Sequence, residues 1–309
     1  MPLHPQVKTV LDLMTAAGPP LHHLSPQKAR EAILAMRATK GEPERVAKVE
    51  DLTYRAAAGR LAMRVYTPEG RGPFPVLVYF HGGGWVVGSV DTVDASCRAF
   101  ANQAGCLVMS ASYRLAPENK FPAAAEDAYA ALQWAALNAS SMNGDPSRLA
   151  VAGESAGANL AAVAAIMAQE RGTPQMALQL LLYPVMNHDF TTPSCKENAE
   201  GYFLTTEMMQ WFWKQYLNND ADGENPYASP LRVKRLQNLT PAAIYTAEFD
   251  PLRDEGAAYA AKLREAGIPV TYKCQEGLIH GYMGMAQAVE PAKQARDDAA
   301  AALRAAFAK

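Results

Sequence analysis

The spacing of hydrophobic residues changes along the chain. Residues 5–16 and 26–36 place apolar side chains at helical spacing, and Ser25-Pro26 has the N-cap and first-turn proline that open a helix. From Val46 the period becomes two, and two alternating runs on either side of residues 57–59 predict an antiparallel hairpin. Continuous apolar runs follow, and we expect them to be buried strands: 76–80, 107–110, 149–152, 178–183, 243–247 and 270–274.

Helical patterns separate most of these runs, at 94–104, 122–138, 156–169, 253–266 and 291–308. Apolar strands that alternate with helices are typical of a parallel sheet covered on both faces. We therefore predict an α/β fold with a mostly parallel central sheet flanked by helices.

The interval between Pro184 and Pro241 breaks this rhythm, because it contains no obvious strand. Its helical block at 205–216 is apolar on nearly all sides, which predicts that it is covered on more than one face. Long insertions of this kind are often lids, although an additional core helix is an equal alternative. We expect residues 1–45 and 185–225 to form a cap over a catalytic domain made of 46–184 and 226–309. We expect the N-terminal helices to pack on the protein itself rather than on a membrane.

Composition excludes several classes of function. Of 309 residues, 49% are hydrophobic and 19% charged, and the net charge of -2 gives no reason to expect nucleic acid or an anionic membrane as a partner. No apolar run could span a bilayer, and no signal peptide is visible, so we expect a cytoplasmic protein without membrane insertion. The oligomeric state stays open, and a homodimer is compatible with the sequence.

Cysteine and histidine spacing gives no sign of a metal site. The four cysteines are scattered without a Cys-x-x-Cys pair, and we expect them to be buried free thiols. The six histidines have no His-x-x-x-His spacing. We therefore predict no metal and no cofactor.

The GESAG segment at 153–157 carries the strongest chemical signal. It follows an apolar strand and precedes an alanine-rich helix, as in the turn that pushes a nucleophilic serine out of a sheet. A Cβ at Gly153 or Gly157 would crowd the helix against the strand. Ser155 is therefore the predicted nucleophile.

A serine hydroxyl needs a base, and the base needs a carboxylate that orients it. Of the six histidines, only His280 lies where the chain order serine, acid, histidine requires one. Asp250, just after a late strand, is the preferred acid; Glu248 and Asp254 are the local alternatives.

Three glycines just after another predicted strand are expected to supply backbone N–H donors for the oxyanion that forms during the reaction. His81-Gly82-Gly83-Gly84-Trp85 follows the strand at 76–80, and an HGGG segment in this place lets backbone N–H groups approach the substrate. Ala156, directly after the nucleophile, would supply a further N–H group.

Together these motifs resemble the hormone-sensitive-lipase-like esterases of bacteria, a branch of the α/β hydrolases. The matching segments are HGGGW at 81–85, YRLAPE at 113–118, FPAA at 121–124, GESAG at 153–157, DPLRD at 250–254 and HG at 280–281. The resemblance implies an α/β-hydrolase fold with a helical cap. It also implies a Ser155–His280–Asp250 triad, with Gly83, Gly84 and Ala156 as oxyanion donors and Gly82 in the same turn. The chain departs from the commoner family pattern at Glu154, usually aspartate, and at Ala158, often glycine.

The predicted function is a carboxylesterase that forms an acyl-enzyme and needs no cofactor. Its substrates would be small esters with short to medium acyl or aryl groups, bound against apolar pocket residues: Trp85, Met208, Met209, Phe212 and Trp213. An amidase or deacetylase with the same triad is one alternative. A non-catalytic ligand-binding protein, like the plant gibberellin receptor that lacks the histidine, is the other, and the presence of His280 disfavours it.

Overall fold

The computed structural model describes residues 2–37 and 43–309; the other residues of the predicted 1–45 segment lie outside this range. Within it, eight strands form one sheet. They are β1 (Lys48–Ala56), β2 (Gly59–Thr67), β3 (Phe74–Phe80), β4 (Leu107–Ala111), β5 (Gly144–Glu154), β6 (Leu178–Leu182), β7 (Ala242–Phe249) and β8 (Val270–Ile279).

The order across the sheet is β1-β2-β4-β3-β5-β6-β7-β8. Strand β2 pairs antiparallel with both of its neighbours, β1 and β4, and β1 and β2 form the predicted hairpin. All pairs from β4 to β8 in this order are parallel. The predicted α/β-hydrolase fold with its mostly parallel sheet is confirmed. Because β3, β5, β7 and β8 are parallel, the segments that follow them emerge at the same edge of the sheet.

Helices cover both faces of the sheet. The helices of the described residues are α1 (Pro5–Ala16), α2 (Pro26–Arg37), α3 (Asp94–Ala104), α4 (Ala123–Asn138), α5 (Ala156–Arg171), α6 (Pro193–Glu197), α7 (Thr206–Tyr216), α8 (Arg253–Glu265) and α9 (Glu290–Phe307). Val76, Val78 and Phe80 of β3 face the core that contains α4, α5 and α8, whereas Leu77 and Tyr79 face the core that contains α3 and α9. Alternate residues of β3 thus face opposite cores, and both sets are buried, which explains why the apolar run is continuous.

Strand β8 differs from its prediction, since it continues to Ile279 rather than ending near Cys274. Its second half contains Gln275, Glu276 and Gly277, which end the apolar pattern. The pairing with β7 shifts register after Gln275 and resumes at Ile279, which lies opposite Phe249. The base predicted at His280 therefore follows its strand directly.

The N-terminal helices pack on the protein itself. Val7 and Leu11 of α1 are buried, and the backbone N–H of His4 donates to the carbonyl of Gly277 at 3.1 Å. On α2, Arg30 donates to the carbonyls of Val86 and Ala116. In the described ranges, no helix combines the length and the apolar character that crossing a membrane requires.

Helix α7 is amphipathic, so the prediction of cover on more than one face is wrong. It buries one broad face: Met208, Met209, Phe212, Trp213 and Tyr216. Glu207, Gln210 and Lys214 form an exposed strip, because they recur at helical spacing among the apolar residues. All four cysteines are free; Cys97, Cys106 and Cys195 are buried as predicted, and Cys274 is half-buried.

Candidate active site

Ser155 occupies the sharp turn between β5 and α5. Its φ of 55° lies in the left-handed region, which a non-glycine residue rarely adopts and which fits the strained turn of a nucleophilic serine. A Cβ on Gly153 would collide with the backbone of Gly157, and one on Gly157 with the carbonyls of Phe80 and His81. The two glycines thus let the helix, its strand and the neighbouring strand approach closely, as their spacing predicted.

Three side chains from different strand ends form a hydrogen-bonded chain. The Nε2 atom of His280 lies 2.9 Å from Ser155 Oγ, and its Nδ1 atom lies 2.8 Å from Asp250 Oδ2. Asp250 is fully buried, and its Oδ1 accepts the backbone N–H of Leu252 at 2.9 Å. Because a carboxylate can only accept, Nδ1 carries the proton and Nε2 is free to accept the hydroxyl proton.

The two alternative acids are engaged elsewhere. Glu248 accepts the backbone N–H of Gly277 at 2.7 Å, which joins the ends of β7 and β8. Asp254 accepts the N–H of Ser194 at 2.8 Å and pairs with Arg253. Asp250 is the carboxylate that the described structure places against the imidazole.

The glycine turn after β3 lies beside the nucleophile. A Cβ on Gly82 would stand 3.3 Å from the Cβ of Ser155. The backbone N–H groups of Gly83 and Gly84 donate no hydrogen bond within the described residues. Ala156 opens α5, where N–H groups have no partner inside the helix. The glycine turn and the start of α5 therefore bring backbone N–H groups without a hydrogen-bond partner in the described residues to the neighbourhood of Ser155, and their role as oxyanion donors stays a prediction.

His81 fixes this turn without joining the proton relay. Its ring stacks on Tyr113 with centroids 4.3 Å apart, and its Nδ1 donates to the carbonyl of Gly82 at 2.8 Å. Burial lowers the pKa of His81 to about 4, so the ring is neutral at physiological pH. A neutral Nδ1–H anchors one carbonyl of the turn.

Tyr183, at the end of β6, is a site residue that sequence reasoning missed. Its ring meets His280 edge to face at 4.8 Å, and its hydroxyl donates to Glu154 at 3.0 Å. Tyr79 donates to the same carboxylate at 3.2 Å. Burial and the neighbouring Glu154 raise the pKa of both tyrosines, which keeps them protonated as donors. Glu154, the departure from the family pattern, thus holds the tyrosine that packs against the base.

A cavity of about 640 Å³ opens onto Ser155 and His280. All five predicted pocket residues line it: Trp85, Met208, Met209, Phe212 and Trp213. Further apolar side chains come from segments that the pocket prediction did not include: Val10, Leu13, Met14, Leu21, Ile33, Phe203, Leu204 and Met285. Leu13 is 67% exposed although it lines the cavity.

Phe212 joins this cavity to the glycine turn. Its ring occupies the space into which a Cβ on Gly84 would project, and the φ of Gly84 is +58°. The turn thus packs directly under α7.

A group of metal-ligand side chains lies outside the cavity lining. His22, His23 and Glu207 bring ligand atoms within 4.8 Å of one another. The prediction of no metal site rested on the lack of His-x-x-x-His and Cys-x-x-Cys spacing. This group has neither spacing, since two of its residues adjoin in sequence and the third is far along the chain.

The fold and the arrangement of serine, histidine and aspartate define the class of protein, an α/β hydrolase. A family model described as alpha/beta hydrolase fold matches residues 77–284. Carboxylic ester hydrolase LipN of Mycobacterium tuberculosis is 45% identical over 77% of this chain and 65% of its own length. Esterase LipI of the same bacterium is 42% identical over 83% of this chain and 82% of its own.

A solved structure is similar over almost the whole chain. The ester hydrolase EH1AB1 from the metagenome of Lake Arreo, complexed with a derivative of bipyridine phosphonate, gives a TM-score of 0.95 at 40% identity. The match covers 99% of this chain and 100% of that one. The chain belongs to the α/β-hydrolase fold family of carboxylic ester hydrolases, and the resemblance predicted from its motifs is confirmed.

Proposed function

We propose that the protein hydrolyses carboxylic esters through a covalent acyl-enzyme on Ser155. One observation carries this proposal: the unbroken chain from Ser155 Oγ through His280 to the buried Asp250 at 2.9 and 2.8 Å, open to an apolar cavity. A ligand-binding protein would not need this relay.

In the first step His280 Nε2 takes the hydroxyl proton while Ser155 Oγ attacks the ester carbonyl carbon. The carbon–oxygen bond to the alcohol then breaks, and the alcohol leaves with the proton from Nε2. Water enters, gives a proton to Nε2 and attacks the acyl carbon, and the acid leaves as Oγ regains its proton. Asp250 stabilises the imidazolium of each step and stays ionised.

The N–H groups of Gly83, Gly84 and Ala156 would stabilise the oxyanion of both tetrahedral intermediates. Loss of one such donor raises the barrier by about 3 kcal/mol in enzymes of this chemistry. Gly82 supports them, because its carbonyl is held by His81.

The cavity walls favour short to medium acyl or aryl esters. Part of the apolar lining comes from α1, Leu21 and Ile33, and α7 adds Met208, Met209 and Phe212. We propose that residues 1–45 and 185–225 act together as the cap on the catalytic domain. The large share of methionine and aromatic side chains gives an adaptable apolar surface.

Two measurements test the ester hydrolase. Purified protein should hydrolyse nitrophenyl esters with a maximum between acetate and medium acyl chains; a maximum at palmitate would contradict the substrate range. A fluorophosphonate should label the wild type and leave Ser155→Ala unlabelled, and equal labelling of both would overturn the nucleophile.

The amidase or deacetylase alternative shares this relay, and matched ester and amide substrates separate the two. We expect the ester to react faster by several orders of magnitude, and a faster amide would reassign the activity. A homodimer and a cytoplasmic location stay predictions, for sedimentation and cell fractionation to check.

A further inference from the structure

His22, His23 and Glu207 join two segments that are distant in sequence. The histidines form a short 3-10 turn, Leu21–His23, between α1 and α2, and Glu207 lies in the first turn of α7. Leu21 and Met208, each next to one of these residues, line the cavity. The group therefore sits behind the cavity wall, where the N-terminal segment meets α7.

The spacing of the ligand atoms fits a single small ion. His22 Nε2 lies 3.4 Å from Glu207 Oε2, and the rings of His22 and His23 have centroids 4.4 Å apart. Zinc binds histidine nitrogen and carboxylate oxygen at about 2.1 Å, so two ligands of a tetrahedral ion lie ~3.4 Å apart. The observed separation equals this value, and the ligand atoms of all three residues lie within 4.8 Å of one another.

The burial of His22 gives an independent reason to expect a ligand. Its side chain is only 6% exposed, and neither ring nitrogen has a hydrogen-bond partner in the described parts of the chain. Its Nε2 approaches Glu207 without hydrogen-bond geometry. A buried polar atom without a partner costs free energy, and a bound cation would satisfy this nitrogen.

We propose that His22, His23 and Glu207 bind one divalent transition-metal ion of the Zn²⁺ type, which ties the N-terminal segment to α7. Two imidazoles and one carboxylate suit zinc and its neighbours rather than Mg²⁺ or Ca²⁺, which prefer oxygen ligands. His23 and Glu207 are exposed, so water completes the coordination from outside. None of the three ligands lines the cavity, and the ion stabilises the wall rather than reacting with the substrate.

The alternative is a plain ion pair between His22 and Glu207, and pH separates the two. An ion pair needs a protonated imidazole and weakens as the pH rises through the histidine range. Metal binding needs a neutral imidazole, so its affinity increases over the same range.

The decisive experiment is a calorimetric Zn²⁺ titration of the full-length, tag-free protein after chelator treatment and dialysis. We expect one equivalent bound per chain, at least roughly tenfold weaker binding in His23→Ala and in Glu207→Gln, and higher affinity at pH 7.5 than at pH 6. Both variants replace exposed side chains, which spares the buried His22. Glu200→Gln, an exposed glutamate outside the group, is the matched control and should bind like the wild type.

Two additional measurements exclude other binding places. Protein labelled on Ser155 with a fluorophosphonate should bind the same single equivalent, since the triad is not the site. Zn²⁺ should raise the unfolding temperature of the wild type and of Glu200→Gln but not of Glu207→Gln. The proposal is overturned if the wild type takes up no stoichiometric ion, if both ligand variants bind Zn²⁺ as tightly as the wild type, or if binding weakens as the pH rises.

Discussion

Replacing Asp250 by asparagine tests the proton relay with little change in shape. In the wild type, Oδ1 of Asp250 accepts the N–H of Leu252 and Oδ2 accepts from His280 Nδ1. An asparagine can keep the first bond only by turning its NH₂ group toward Nδ1. Two donors would then face each other, so the imidazole must move its proton to Nε2.

With the proton on Nε2, the ring can no longer accept from Ser155, although all heavy atoms keep their places. Mispairing of this kind in a serine triad lowers turnover by about 10⁴-fold, which corresponds to ~5.4 kcal/mol in the barrier. The assay is kcat with a nitrophenyl ester of short chain, read against Ser155→Ala as the background.

Asp254→Asn is the matched control for this experiment. Asp254 accepts the N–H of Ser194 and pairs with Arg253, away from the imidazole. The turnover of Asp254→Asn should therefore decrease by less than roughly tenfold. Turnover of Asp250→Asn within tenfold of the wild type, or equal losses of turnover in the two asparagine variants, would refute this role of Asp250. Circular dichroism and the unfolding temperature show whether each variant is folded.

Three more predictions follow from the surroundings of the site. Gly84→Ala should lower kcat by about 10²-fold, because the new Cβ would meet the ring of Phe212 and displace an oxyanion donor. The native state keeps His81 neutral down to about pH 4, whereas an unfolded histidine protonates near 6.5. Between these two pKa values the unfolded chain binds more protons than the native state, so the free energy of unfolding decreases as the pH falls. Between pH 7 and 4.5, His81→Gln should reduce this decrease by about 2 to 3 kcal/mol, as measured by urea unfolding. Arg114→Met should cost about 3 to 5 kcal/mol of unfolding free energy, because it removes the guanidinium that balances the fully buried carboxylate of Asp127 and leaves that charge only the backbone N–H of residue 114.

Each of these predictions has a control. Gly18 has open space around its Cβ position, so Gly18→Ala should leave kcat unchanged; equal losses would refute the contact argument. If the stability of His81→Gln decreases with falling pH as much as that of the wild type, this histidine is not the cause of the acid sensitivity. The exposed pair of Lys8 and Asp12 contributes less than about 1 kcal/mol, and Arg114→Met should clearly exceed Lys8→Met.

Local spacing explains why much of the fold and site could be predicted. Ser155, Asp250 and His280 each stand next to an apolar strand, and the ends of parallel strands share one edge. Short motifs that depend on a turn, such as the glycines around Ser155, therefore predict both a conformation and a place. The roles of the three residues await the variants described above.

Contacts between segments that are distant in sequence could not be predicted. Tyr183 counted as the last residue of an apolar strand, and its contact with His280 depends on how β6, β7 and β8 align across the sheet. The contribution of α1 to the cavity depends on how it docks against β8. The meeting of His22 and Glu207 likewise results from packing, which no periodicity encodes.

The contact between Phe212 and Gly84 has a consequence for directed evolution. Other α7 positions that line the cavity, such as Met208 and Met209, can be varied to accept different acyl groups while the reacting centre is left alone. At Phe212 the same exchange would also release the backbone that faces the nascent negative charge. A library built on this helix should therefore keep the phenylalanine, so that gains in substrate range are not hidden by losses in rate.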